Sequence, residues 1–295
     1  MPSPEFTALV DQLFASPFPP EFPEMREAYL AMGDMLPLPA GVTVEKIQLG
    51  GCPCEWVSSA APGRGTILML HGGGYCIGGP GSHRHQAAEM ALQTGARVAL
   101  LDYRLAPEHP YPAGLNDALA AYLELSRAAE NGPIALAGDS AGAGLAMALL
   151  ARILSNGHPV PACVYCMSPW VDLTDRATSR TLKASVDPLA SSALLDKMAS
   201  AYAGDLDFAD PLVSPVSANF RGAPPTYIQV GTAEVLMDDA INLAKTLADA
   251  DVDVDLEIRA HMIHVWPWHF PMIPEGRDAI GRACGFITRH LSSAF

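Results

Sequence analysis

No apolar run in the sequence approaches the roughly 18 to 20 residues that a bilayer-spanning helix needs. The start, Met1-Pro-Ser-Pro-Glu-Phe, lacks the basic stretch and following apolar stretch of a secretory leader. These two absences make a cytoplasmic protein without a membrane span the expectation. Basic residues are scarce as well: 18 Lys and Arg stand against 32 Asp and Glu, for a formal net charge of −14 and a pI near 4.9. Such a surface repels the phosphate backbone of nucleic acid and the anionic face of a membrane, so neither is an expected partner. Cysteine is too sparse to staple the chain, with 6 in 295 residues and no framework spacing, and thiols are the default. Cys163 and Cys166 form a C-x-x-C, but inside the apolar run Ala162 to Met167, where core packing accounts for them. Cys52 and Cys54 lie on an apparent early strand with no cysteine or histidine cluster near them in sequence, so no metal is expected. Internal repeats and low-complexity tracts are also missing.

What is present is a large apolar fraction, 49% of residues, enough for a sizeable core in one large domain or two small ones. Apolar strands recur, each followed by a turn of glycine or small polar residues and then a helical pattern, which is α/β order. Thr66–Leu70, Arg97–Leu101, Ile134–Ala137, Ala162–Met167 and Thr226–Val230 are continuous apolar runs of the kind buried on both faces of a parallel sheet. Residues 251–258, Asp-Val-Asp-Val-Asp-Leu-Glu-Ile, alternate instead, predicting a strand with one wet face nearer the sheet edge. Two segments break the rhythm: the proline-rich stretch from Met1 to about Pro39, and the stretch from about Leu173 to Pro215. In the second, Leu194, Leu195, Met198 and Tyr202 follow Ser191 and Ser192 at helical spacing, predicting an amphipathic helix outside the main sheet. A lid over a binding site is one reading of it, and a structural insertion is the other.

Three clusters carry chemistry. The strand ending at Ala137 runs into Gly138-Asp139-Ser140-Ala141-Gly142 and then into an alanine- and leucine-rich helix. Strand, sharp turn and helix around G-x-S-x-G make a nucleophile elbow, in which small flanking residues let a strained turn push the serine hydroxyl out above the sheet. The strand ending at Leu70 runs into His71-Gly72-Gly73-Gly74-Tyr75, whose amides are free of side-chain obstruction and suit an oxyanion. A phosphate cradle would want a lysine with Ser/Thr, or a G-x-G-x-x-G opening a helix; neither is there, and no cofactor is expected. A nucleophilic serine also needs a histidine base held by an acid. Downstream, Gly231-Thr232-Ala233-Glu234 follows one strand and His261-Met262-Ile263-His264 the next.

These motifs resemble those of the hormone-sensitive-lipase family of bacterial carboxylesterases, the family IV esterases. The resemblance covers nearly the whole chain and rests also on Tyr103 to Pro110, Ser168-Pro169-Trp170 and Met262 to Trp266. It implies an α/β-hydrolase fold, a mostly parallel central sheet flanked by helices, with a catalytic core over 46–172 and 213–295. A helical cap would be built from 1–45 and 173–212. It further implies Ser140 as nucleophile, His264 as base, and an oxyanion hole from the amides of Gly73, Gly74 and Ala141. At the acid the sequence departs from the commonest Asp-Pro-Leu pattern: alignment on Leu236 and Asp238 puts Glu234 there, with Asp238 as competitor. The bland reading of Asp238 and Asp239 is favourable charge in the first turn of a helix.

Other residues have plainer readings. His261 is a loop or pocket-wall residue, His83 and His85 lack the partners that would close a metal site, and His71 braces the glycine loop. Asp139 serves the geometry of the elbow. Met198, Tyr202, Trp266, Trp268 and Phe270 are candidates for an apolar acyl or alcohol site and equally for core. The expected substrate is a small ester with a short- to medium-chain acyl group. A lactone or an amide would use the same residues, and a binding module on the same scaffold is the competing class, disfavoured by the presence of His264. A homodimer through an edge strand is left open.

Overall fold

The computed structural model describes all residues except 37, 61, 64, 129–131, 175 and 294–295. Its centre is an eight-stranded sheet: β1 (Val42–Leu49), β2 (Cys52–Ser59), β3 (Thr66–Leu70), β4 (Arg97–Leu101), β5 (Ile134–Asp139), β6 (Cys163–Met167), β7 (Thr226–Gly231) and β8 (Val254–Arg259). The spatial order is β1-β2-β4-β3-β5-β6-β7-β8. β1 and β2 form an antiparallel hairpin, β2 meets β4 antiparallel, and every pair from β4 onward is parallel. Every residue of β3, β5, β6 and β7 is buried, as their unbroken apolar runs require of strands covered on both faces.

Two layers of helices supply that cover. α4 (Ala113–Arg127), α5 (Ala141–Ser155) and α8 (Met237–Asp249) bury their apolar faces in one core cluster. α3 (Pro80–Thr94) and α9 (Pro274–Ser293) bury theirs in a second cluster on the other face. α5 is apolar almost all round and twelve of its residues are buried, fitting its place against the middle of the sheet.

The edge strand β8 departs from expectation. Its period-two pattern predicts apolar side chains turned inward, yet Leu256 and Ile258 are 37% and 45% exposed. Glu257, on the opposite face, is the better-covered residue: Tyr227 Oη, Gln229 Nε2 and Arg282 all donate to its carboxylate. A polar network on the α9 side thus holds the strand, while its apolar side chains are left at the rim.

The first segment is helical. α1 (Pro4–Ala15) starts on Ser3, whose Oγ accepts from Phe6 N at 3.0 Å, and α2 (Phe22–Asp34) carries Pro23 in its first turn. Prolines at such positions lose no hydrogen bond, so here they start helices. Arg26 seats α2 on the molecule: its guanidinium donates to Cys76 O and Ala106 O, both at 2.8 Å, and to Glu108. The second segment holds α6 (Ser179–Leu182) and α7 (Ser192–Ala203), the latter capped by Ser191 Oγ. Tyr202 of α7 stacks on Tyr75 at 3.8 Å between ring centroids.

Candidate active site

Five strands adjacent in the sheet, β3, β5, β6, β7 and β8, run parallel, so their carboxyl ends open on one edge. Each delivers part of one cluster. β3 leads to Gly73 and Gly74, β5 to Ser140, β6 to Ser168, β7 to Glu234 and β8 to His264. Ser140 and His264, 124 positions apart in sequence, meet because parallel strands collect their following loops at one end.

Ser140 sits between β5 and α5 with φ 51° and ψ −122°, a conformation that is strained for any side chain bearing a Cβ. The strain is held by its surroundings: Ser140 N donates to Met167 O at 2.8 Å, and its carbonyl accepts from Gly144 N and Trp170 N. Gly142 has to be glycine because a Cβ there would overlap the carbonyl oxygen of Leu70. In this arrangement Ser140 Oγ lies 2.9 Å from His264 Nε2, and His264 Nδ1 lies 3.0 Å from Glu234 Oε2. A carboxylate only accepts, so Nδ1 carries the proton and Nε2 accepts from the serine hydroxyl.

Glu234 is wholly buried, and its other oxygen, Oε1, accepts from Ser168 Oγ at 2.8 Å and from Gly231 N at 2.5 Å. Burial pushes its carboxyl up to about 7, opposed by its hydrogen bonds and by the imidazole. Burial also pulls His264 down, but the Glu234 charge outweighs it and leaves the imidazole above its ordinary value. Asp238 makes no contact with His264. Its carboxylate accepts from Ser179 N at 2.9 Å, and Asp239 accepts from Val171 N and Asp172 N. The two aspartates therefore tie α8 to α6 and to the loop after β6, a role beyond the helix-start charge expected of them.

Ser168 was legible only as part of a motif. At the end of β6 it has φ 45°, and its Oγ donates to Glu234 and accepts from Val265 N at 3.0 Å, joining the acid to the histidine loop. A small polar residue closing a buried apolar strand was the available signal. Asp187 was not anticipated either; it accepts from Val235 N at 2.9 Å and from Leu189 N and Ala190 N, tying the second segment to the acid's turn.

Gly73 and Gly74 border the cavity above Ser140, at φ 116° and 58°; a Cβ on Gly74 would run into Met198 Sδ. Ala141 is the first residue of α5, beside Ser140. Among the described residues no protein acceptor pairs with the amides of Gly73, Gly74 or Ala141. Asp139 is buried, accepts from Gly72 N at 2.9 Å and lies 3.0 Å from His83 Nε2, so it braces the glycine loop against the elbow. Despite burial, which favours the neutral acid, His83 and the Gly72 amide hold its carboxyl below the ordinary value. His71 stacks on Tyr103, and burial lowers it to about 3, which makes it a neutral brace. His85 packs on Trp268 and Phe270, and His261 is an exposed turn residue. The described residues hold no group of three or more histidine, cysteine or acidic side chains arranged for a metal ion.

The cavity is closed by both non-sheet segments: Phe18, Met25 and Tyr29 from the first, and Leu194, Leu195 and Met198 from the second. Of the aromatic candidates only Trp268 borders it. Tyr202 and Trp266 are buried in the core, and Phe270 packs on His85.

The chain is similar to several known proteins. A family model described as alpha/beta hydrolase fold matches residues 67–268. An acetyl-hydrolase of Streptomyces hygroscopicus is 43% identical over 242 residues, 82% of this chain and 81% of that protein. An esterase of Acinetobacter venetianus is 32% identical over 84% of this chain and 82% of its own length. Among solved structures, an esterase from the bacterial hormone-sensitive lipase family superposes with a TM-score of 0.95 at 37% identity, covering 99% of both chains. EstE5, in crystals soaked with p-nitrophenyl butyrate, gives 0.94 at 37% identity over 98% of this chain and 99% of its own. With its sheet, its strand-end cluster and these likenesses in agreement, the chain belongs to the α/β-hydrolase family, among the bacterial hormone-sensitive-lipase esterases.

Proposed function

We propose that the protein is a carboxylic ester hydrolase that works through Ser140, His264 and Glu234. The observation that carries this reading is the unbroken chain of contacts from Ser140 Oγ through His264 to Glu234 at the mouth of an apolar cavity. Ser140 Oγ attacks the ester carbonyl as His264 Nε2 takes its proton. The carbonyl oxygen, now negative, is received by the amides of Gly73, Gly74 and Ala141, which no protein acceptor occupies. His264 returns the proton to the leaving alcohol, and water repeats the steps on the acyl-enzyme. Glu234 holds the imidazole's tautomer and stabilises its charged form.

The inner cavity measures about 80 Å³, which supports a short acyl group, and the relative named an acetyl-hydrolase supports the same reading. Residues 1–45 and 173–212 act as a cap, supported by the side chains that both segments place around the cavity. No described helix is long and apolar enough to cross a membrane, and six buried cysteines without disulfides support a reducing, cytoplasmic setting. Pairing of two chains along β8 is supported by the exposed Leu256 and Ile258 on an open sheet edge, and light scattering would read it out.

The test is hydrolysis of p-nitrophenyl esters of increasing acyl length by the wild-type protein and by Ser140→Ala. Turnover is expected to be highest for short chains and to fall by about 10⁴-fold or more in the variant. A folded Ser140→Ala protein with full turnover would overturn the assignment.

A further inference from the structure

The cavity over Ser140 adjoins a second, larger one of about 570 Å³ between α1 and α2. The two share Phe18, Met32, Leu189, Trp268 and His269. Four of these offer nothing polar: three are apolar, and the one donor of Trp268, Nε1, is spent on Ser82 O at 3.2 Å. His269 is different. It is 2% exposed, and among the described residues neither Nδ1 nor Nε2 has a hydrogen-bond partner. Leaving a buried polar group without a partner is costly. A histidine with both nitrogens idle, in a wall shared by two apolar cavities, is therefore expected to meet its partner on what enters them.

The state of the ring narrows the partner. Burial, with His85 and His264 nearby, lowers His269 to about 3, so it is neutral wherever His264 is able to act as a base. A neutral imidazole offers one donor and one acceptor, matching a hydroxyl or a carbonyl and gaining no charge attraction to a carboxylate.

We propose that His269 is a substrate-binding residue that recognises a neutral hydroxyl or carbonyl group on a substrate chain running from Ser140 into the cavity between α1 and α2. The preferred substrate is then an oxygenated ester with a small group at the inner cavity and a longer arm beyond it. Glycines and apolar walls grip the ester end, and His269 reads the arm. The inference rests on Ser140 as the nucleophile.

Two ester series test it: p-nitrophenyl esters of a six-carbon acid and of its keto analogues with the carbonyl at successive positions, and acetate esters of the corresponding alcohols and keto alcohols. Enzyme concentration is set by fluorophosphonate titration, so that misfolded protein drops out. The wild-type protein is expected to favour one keto compound over its plain counterpart by about tenfold in kcat/KM, mostly through KM. His269→Phe should abolish that preference, and His269→Gln, which keeps a donor and an acceptor, should retain part of it. A wild-type protein with no preference in either series would overturn the proposal, as would a preference that survives His269→Phe or a stronger preference for a carboxylate-bearing arm. If the plain esters themselves are not hydrolysed, the esterase reading fails; if they are hydrolysed without discrimination, only the role of His269 fails.

Discussion

Proton transfer at His264 requires the neutral imidazole, and Glu234 lifts the ring above its ordinary value of 6.5. As pH falls through that raised value the base is lost, so the acid limb of kcat/KM should have its midpoint above pH 6.5. Glu234→Gln removes the charge that opposes burial, and the limb of its residual activity should move to lower pH. A limb unmoved by that substitution would separate the acid from the base. Ser168 acts on the same pair through position: Ser168→Ala leaves Glu234 short of a donor and Val265 N without its acceptor. We expect kcat to fall by about 10- to 100-fold with KM little changed, and the acid limb to shift with it. Stopped assays over pH 5 to 9 would read both quantities.

At the level of elements, the elbow tolerates no added carbon at Gly142, because β3 and the turn into α5 lie in contact there. Gly142→Ala should cost at least about 3 kcal/mol, visible as a lowered Tm and a poor soluble yield. The same elements explain what the sequence made legible. Unbroken apolar runs with a glycine-rich or small-residue turn after them can only be buried parallel strands, so β3 to β7 and the turns bearing Gly73, Ser140 and Glu234 were readable. β2 was readable only as an early strand at Cys52 and Cys54 and its hairpin with β1 was not, since Cys52 to Ser59 mixes buried, half-buried and exposed residues without a clean period. β8 was readable as a strand but not in its facing, because its position is fixed by Glu257 bonding to Tyr227, Gln229 and Arg282. Pairwise contacts of that kind, like those of Ser168 and Asp187, join residues remote in sequence and leave no periodic trace.

For the whole molecule, burial sets the response to acid. His71 and His269 are lowered to about 3 and His85 to about 4, so between pH 6.5 and about 4.5 only the unfolded chain protonates them. Asp239, raised to about 7, is protonated in that window only in the native chain. The unfolded state holds more protons on balance, and stability should fall on acidification. Below about pH 4.5 the loss should steepen, because Asp139 and Glu257 are held low in the native state and their unfolded counterparts take up protons first. Denaturant midpoints from pH 7 to 4 would show a gentle slope and then a break.

The placement of His264 beyond β8 has a consequence for biosynthesis. During translation the chain acquires glycine loop, hydroxyl and carboxylate in turn, and the imidazole last of the four. A nascent polypeptide stalled before that point is inert however well its earlier strands have assembled. Ester cleavage by ribosome-bound chains would thus report that the final strand has docked, which makes the reaction a clock for completion of the sheet.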